Sequence, residues 1–219
     1  MVEMEEKALR TVRSCLRSIA AGEEESCEKL MYGLLLSGLA MQMVGNSRPA
    51  SCAEHHMSHL WEMEVVNGPL DALHGEKVSV GTMLVLKEYK RIARAIAEGR
   101  CKVKAYEGME EELLEEYFGR KGLLRAIQGE NQPDLLLEVD PDRLKESLEE
   151  IREILEALPE EEEMAAMLDK AGCKKTVSDI GLTEEMIPLS LALSPYVRRR
   201  LSFLRIGKML EIEGESSCV

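Results

Sequence analysis

The sequence predicts an all-α protein, and three observations favour this fold class. Aromatic residues make up 4% of the 219 residues whereas hydrophobic residues reach 45%, so aliphatic side chains and methionine must form the core. Strands are usually enriched in aromatic and β-branched residues. Apolar residues recur at helical spacing along most of the chain, and neither strand alternation nor a strand–helix–strand rhythm is visible. We therefore expect a helical fold without a nucleotide-binding sheet.

The helical pattern and the turn-forming residues predict the elements in order. The predicted helices are 5–20, 26–44, 51–66, 74–99, 109–127, 141–158, 160–171, 183–193 and 196–212. Gly and Pro in 45–49 and 67–69 end the second and third helices. Asp140 and Pro141 supply an N-cap and a first-turn proline, and the preceding segment 128–140 is predicted to be a mobile loop. We expect one domain over residues 1–219.

Charge and composition exclude several functions. Acidic residues outnumber basic ones 41 to 28, for a net charge of −13, whereas nucleic-acid binders need excess Lys and Arg. Residues 30–47 are uncharged, but their serines, amides and glycines favour a helix buried on all sides over a membrane span. The N-terminus lacks a signal-peptide pattern. Six cysteines without a C-x-x-C pair indicate a reducing compartment, which predicts a cytoplasmic protein.

All four histidines lie between positions 55 and 74. On a helix, His55 and His59 share one face, whereas His56 is rotated by about 100°. His74, at the start of the next predicted helix, could complete a site with one of them. Neutral imidazole binds zinc, nickel or ferrous iron well. The concentration predicts a metal or catalytic site, and the alternative is a set of structural, hydrogen-bonded histidines.

The turn at 45–51 is a second candidate site. It offers backbone N–H groups, two hydroxyls and Arg48 just before the histidine-bearing helix, a combination that suits an anion. The alternative is an ordinary loop in which Ser51 caps the helix. Arg198, Arg199 and Arg200, with Arg205, form the basic cluster of the sequence, which we interpret as a surface patch or a source of salt bridges.

Two strings resemble the glycerol-1-phosphate dehydrogenase family, which belongs with the iron-containing alcohol dehydrogenases, glycerol dehydrogenases and dehydroquinate synthases. They are GNSRPASCAEHHMSHLW at 45–61 and LHGEKVSVGT at 73–82. The segments 171–181 and 194–205 are similar to the tail of that family. The resemblance implies the helical, metal-holding C-terminal domain of this dehydroquinate synthase-like fold. The N-terminal α/β domain that binds NAD or NADP has no counterpart in this sequence.

The resemblance also implies site residues. His74 of the HGE string and His55 would be metal ligands, with His56 as an alternative to His55. Ser47, Arg48 and Ser51 would lie near the substrate and its phosphate, and His59 near the nicotinamide and the proton path. The metal would be divalent: zinc, with nickel or iron as alternatives. NAD or NADP would bind only when the missing domain is present.

Three departures from the family pattern matter. Cys52 stands at a customary glycine position, and Ser79 replaces a small apolar residue or glycine. The Gly-Asp string that supplies the aspartate ligand is missing. We therefore expect a domain that acts on dihydroxyacetone phosphate and glycerol 1-phosphate together with its missing half, supplied in cis or as a separate chain, and that is inactive alone. The alternative is a non-catalytic helical module; homo-oligomer formation stays open.

Overall fold

The computed structural model describes residues 2–214 and is all-α apart from one two-stranded sheet, which confirms the predicted fold class. The helices are α1 Val2–Arg13, α2 Leu16–Ala20, α3 Glu24–Val44, α4 Ala53–Glu62, α5 His74–Ala97, α6 Glu111–Phe118, α7 Leu124–Glu130, α8 Pro141–Glu146, α9 Leu148–Glu156, α10 Glu161–Ala171, α11 Ile187–Leu193 and α12 Phe203–Ile206. Short 3₁₀ turns join several of them. Strands β1 Cys101–Val103 and β2 Leu210–Ile212 pair antiparallel, with Cys101 opposite Ile212.

The last predicted helix, 196–212, is wrong. Only α12 and neighbouring 3₁₀ turns are helical there, and the segment ends in β2. Ser202 interrupts the helical pattern because its side chain accepts the Arg205 N–H and caps α12. Strands of three residues are too short to show alternation, so β1 and β2 were missed. Ser147 also divides the predicted helix 141–158 into α8 and α9.

Helices α4 and α5 form the centre of the fold. Met57 and Trp61 of α4 pack with Val80 and Leu84 of α5 in one buried cluster. The Trp61 indole N–H donates to Ser190 Oγ at 2.8 Å, which ties α4 to α11. A side chain at Gly81 would place Cβ 2.7 Å from the Glu54 carbonyl oxygen. Because Gly81 has no side chain, α5 can pack closely against α4, the helix that carries His55, His56 and His59.

Helix α3 was predicted to be buried on all sides, and that prediction is wrong. The helix packs mainly against α1, where Gly33 faces Val12 and Ala8. Its remaining surface leaves large apolar side chains exposed: Met31, Tyr32, Leu34, Leu35, Leu39, Met43 and Val44. No helix among residues 2–214 is long and apolar enough to cross a membrane. We call this set of side chains the α3 apolar face.

The segment 128–140 is anchored, contrary to its predicted mobility. Asn131 and Asp134 are buried, and both contact the fully buried Arg205. Arg205 is therefore a buried source of a salt bridge, the second of the two predicted alternatives, and not part of a surface patch. A buried arginine needs charge and hydrogen-bond partners, and these come from the predicted loop.

Cys15, Cys27, Cys52, Cys101 and Cys173 are free thiols. They fit the predicted absence of a disulfide framework. Cys218 lies outside the described residues.

Candidate metal centre and adjoining turn

The rings of three histidines meet where α4 faces the start of α5. The His74 ring centroid lies 5.5 Å from that of His55 and 5.2 Å from that of His59. His55 and His59 occupy successive turns of α4, as the i, i+4 spacing predicts, and His74 is the first residue of α5. All three remain partly accessible. A ligand could therefore reach the cluster from solvent.

His56 does not join this cluster. Its side chain is 1% exposed, and neither ring nitrogen has a hydrogen-bond partner in the part of the chain that the structure describes. Burial first, and the positive charge of Arg200 second, lower the His56 pKa from 6.5 to about 4. His56 is thus a neutral core side chain. This placement favours His55 over His56 as the residue available to a metal.

Glu62, the last residue of α4, connects two of the histidines. Nδ1 of His74 donates to Glu62 Oε1 at 2.8 Å, and Nδ1 of His59 donates to Glu62 Oε2 at 3.0 Å. Lys77 Nζ lies 3.2 Å from the same carboxylate. Burial alone would raise the Glu62 pKa, but hydrogen bonds from these three side chains outweigh it and lower the pKa to about 2. Glu62 is therefore an anion at neutral pH.

His55 has a carboxylate partner of its own. Its Nδ1 donates to Glu54 Oε1 at 2.8 Å, and the Cys52 N–H donates to the same oxygen at 2.9 Å. Hydrogen bonding of one ring nitrogen to a carboxylate fixes the tautomer and leaves the other nitrogen as an acceptor. All three clustered histidines are arranged in this way. Their Nε2 atoms are consequently the nitrogens free to accept a ligand.

These residues fit a divalent metal by the chemistry of the donor set. His59, Glu62 and His74 offer ligand atoms that all lie within 4.8 Å of one another, and this set contains His59 in place of the predicted His55. A tetrahedral zinc with bonds of about 2.0–2.1 Å separates its ligand atoms by about 3.3 Å. The 2.8 and 3.0 Å separations at Glu62 are hydrogen bonds from Nδ1–H groups, so these atoms would hold a metal only after it displaces those protons. Imidazole and carboxylate together suit zinc and other late first-row ions.

The turn at 45–51 is held by an arginine from the other end of the chain. Arg200 Nη2 donates to Ser47 Oγ at 2.6 Å, and Arg200 Nη1 donates to the carbonyl oxygen and the hydroxyl of Ser51. The side chain of Arg48 is exposed and makes no polar contact with the described part of the chain. The two predicted serines are thus brought together by a basic residue that was not among the predicted ligands.

Sequence reasoning missed two residues of these sites, Glu62 and Arg200. Glu62 lies three residues after His59, a helical spacing that could have indicated the contact. The Arg200 contact joins residues about 150 positions apart and no local pattern encodes it. Glu76 has a structural role, since its carboxylate accepts the Leu73 N–H at 2.8 Å at the start of α5.

The fold and the site define a helical protein with a candidate metal centre. Comparison with known proteins identifies the family to which this helical protein is related. Glycerol-1-phosphate dehydrogenase [NAD(P)+] of Geobacillus stearothermophilus is 33% identical over 190 residues, and the match covers 86% of this chain and 40% of that protein. The enzyme of the same name from Geobacillus thermodenitrificans is 32% identical over 84% of this chain and 39% of its own length. The Thermococcus kodakarensis enzyme is 36% identical over 44% of this chain and 28% of its own.

The chain belongs to the glycerol-1-phosphate dehydrogenase family. It spans about two fifths of the length of the two Geobacillus relatives and matches their C-terminal part. No family model matches the sequence.

Proposed function

We propose that this chain is the metal- and substrate-binding domain of an NAD(P)-dependent dehydrogenase that interconverts dihydroxyacetone phosphate and sn-glycerol 1-phosphate. The convergence of the His55, His59 and His74 rings, with Glu62 bonded to His59 and His74, is the observation that carries the proposal. The relatives named above support the reaction. The rest of the enzyme, which holds the nicotinamide in this proposal, is a domain in cis or a separate chain.

In this proposal His55 and His74 hold the divalent metal, zinc in the first instance. Bound there, the metal would act as a Lewis acid toward the substrate oxygen. Glu54 and Glu62 orient the imidazoles through their Nδ1–H groups. Glu62 also places a carboxylate beside the imidazoles. The family's aspartate ligand has no counterpart in this sequence, and Glu62 offers the same kind of ligand group. The His59 side chain is 34% exposed, so that it can exchange a proton with the substrate hydroxyl or with water.

The test combines metal binding with reconstitution. Isothermal titration of the 219-residue chain with Zn²⁺ is expected to show binding that the missing domain strengthens. The chain alone is expected to bind no NAD or NADP and to leave glycerol 1-phosphate unoxidised. Addition of an N-terminal domain, found in the sequence encoded upstream or taken from a relative, should produce turnover. A silent reconstituted protein would contradict the proposed reaction, and so would robust activity of the isolated chain.

A second candidate function is a non-catalytic interaction module of the same family. The α3 apolar face favours it, because an exposed apolar patch of this extent on a protein surface indicates a partner. A partner that supplies the cofactor domain would satisfy both candidates. Turnover of the reconstituted complex separates them, since a pure interaction module would bind the partner without reducing dihydroxyacetone phosphate.

The five free thiols among the described residues support a reducing compartment such as the cytoplasm.

A further inference from the structure

We infer that Lys77 is a resident cation of the candidate metal centre, which neutralises Glu62 and so competes with a divalent metal for this site. Lys77 was not among the site residues predicted from the sequence. The inference rests on the proposed function for the presence of a metal, and on the contacts of Lys77 for the competition.

Lys77 lies one helical turn after His74 on α5 and contacts the same carboxylate. Its Nζ atom is 3.2 Å from Glu62 Oε1, the oxygen that also accepts the His74 Nδ1–H at 2.8 Å. The other oxygen, Oε2, accepts the His59 Nδ1–H at 3.0 Å. Both oxygens of Glu62 are therefore engaged by donors of the protein, and one of these donors carries a full positive charge.

The ammonium group is held inside the protein. The Lys77 side chain is 10% exposed, whereas lysines are mostly exposed to solvent and are buried only when they are paired. Among residues 2–214, no second carboxylate lies within 4.0 Å of Lys77 Nζ. An ammonium taken out of water needs a close anion. Lys77 therefore depends on Glu62 for its charge balance and keeps the positive charge beside the histidine cluster.

A divalent metal at this cluster meets the charge of Lys77. The affinity of a cation site depends on the number of anionic groups that it offers, and Glu62 with Lys77 carries no net charge. Repulsion between the ammonium and the metal is only partly screened at such short range. Lys77 therefore lowers the affinity of the centre, which rises when the ammonium is removed or when a further acidic group joins the site.

A purely structural salt bridge is the alternative, and it predicts the opposite result. If Lys77 served only to position Glu62, its removal would loosen the carboxylate that orients His59 and His74, and metal binding would weaken. If Lys77 competes with the metal, its removal strengthens binding. The sign of the change in affinity separates the two roles.

The test is isothermal titration of the full 219-residue chain with Zn²⁺ at neutral pH and constant ionic strength. Lys77→Met keeps most of the aliphatic chain but removes the charge, and is expected to lower the dissociation constant about 10- to 100-fold. Lys77→Arg keeps the charge and should not reproduce this gain.

Lys87→Met is the matched control, because Lys87 is exposed on the same helix. It lies about 15 Å further along the helix axis, beyond the screening length of about 8 Å at physiological ionic strength, so its effect should stay below about twofold. Thermal unfolding of each variant is measured, and Lys77→Gln repeats the test if Lys77→Met fails to fold.

An unchanged or higher dissociation constant in Lys77→Met would overturn the inference, as would an equal gain in Lys87→Met or in Lys77→Arg. Absence of Zn²⁺ binding by the parent and by every variant would reject the metal centre of the proposed function, and this inference with it. Measurable binding that Lys77→Met leaves unchanged would overturn this inference alone. The titration needs no nicotinamide, so a silent dehydrogenase assay leaves its result standing.

Discussion

Arg205 and Asp134 form an ion pair inside the protein: Arg205 Nη2 donates to Asp134 Oδ1 at 2.9 Å, and the side chains are 0% and 4% exposed. Arg205 Nη1 donates to Asn131 Oδ1 at 2.5 Å, and Tyr106 Oη donates to Asp134 Oδ2 at 2.7 Å. Asn131 in turn donates to the Tyr196 carbonyl at 2.7 Å. This network joins the segment after α7 to Arg205 of α12 and to Tyr196, which precedes α12, and so anchors both ends of the stretch that contains Arg200.

Asp134→Asn is expected to destabilise the protein by about 3–5 kcal/mol, because it leaves the Arg205 charge buried without its anion. Urea unfolding followed by circular dichroism measures the change. Asp142→Asn, at an exposed position in the first turn of α8, is the control and should cost less than about 1 kcal/mol. A loss below 1 kcal/mol for Asp134→Asn would mean that water reaches the pair and that the segment is as mobile as its sequence suggests.

The network also shows where sequence reasoning stops. The i, i+4 spacing of His55 and His59 and the following His74 predicted their convergence, since helix geometry fixes which side chains share a face. The role of Arg205 depends on a contact 71 residues away, with Asp134. Segment 128–140 is rich in loop-forming residues, and composition cannot distinguish an anchored loop from a free one. The uncharged α3 was interpreted as buried because hydrophobicity alone does not distinguish a core helix from a helix with an exposed apolar surface.

Gly81→Ala is expected to destabilise the fold more than Gly33→Ala does. The new Cβ at position 81 would meet the Glu54 backbone oxygen at 2.7 Å, whereas at position 33 it would meet the Val12 Cγ2 atom at 2.9 Å. A side-chain methyl can rotate away, but helix backbone cannot, so overpacking should cost about 1–3 kcal/mol at position 81. Chemical denaturation gives both values. Zn²⁺ affinity should also fall in Gly81→Ala, because α4 and α5 carry the histidines; equal effects of the two variants would argue against this helix contact.

Replacement of His55 or His74 by Ala is expected to reduce zinc or nickel binding far more than replacement of His56. A lost imidazole ligand removes a direct bond, whereas His56 is buried away from the cluster. Calorimetric titration with each metal measures the loss. Glu62→Gln should weaken binding by about 10- to 100-fold, the typical effect of losing a carboxylate that orients metal ligands. Intact binding in His74→Ala would reject the site, and equal losses at His55 and His56 would leave the choice of ligand unsupported.

Asp179 gives a prediction for acid pH. Its carboxylate accepts the backbone N–H groups of Lys175 and Thr176 at 3.0 and 2.9 Å, and these bonds lower its pKa from 3.8 to about 2. Since the folded pKa lies below the unfolded one, the carboxylate stabilises the fold above pH 4, and this contribution is lost as pH falls toward 2. Asp179→Ala should therefore be less stable than the parent at pH 6, by about 1 kcal/mol. The difference should shrink steadily between pH 4 and pH 2 in urea unfolding. A difference independent of pH would show that the ionised carboxylate is not what stabilises this turn.

The α3 apolar face is expected to make the isolated chain associate. Leu35 and Leu39 lie one helical turn apart on this face and are 60% and 50% exposed. Leu35→Gln with Leu39→Gln should leave the free energy of unfolding within about 0.5 kcal/mol of the parent for each exposed site. The same pair should reduce concentration-dependent association in sedimentation velocity, together with the binding of an apolar dye. Ile154→Gln is the matched control, because Ile154 is also 60% exposed but lies on α9. If both changes alter association equally, the effect is general surface hydrophobicity; if the α3 pair alone matters, this helix face is the surface that a partner covers.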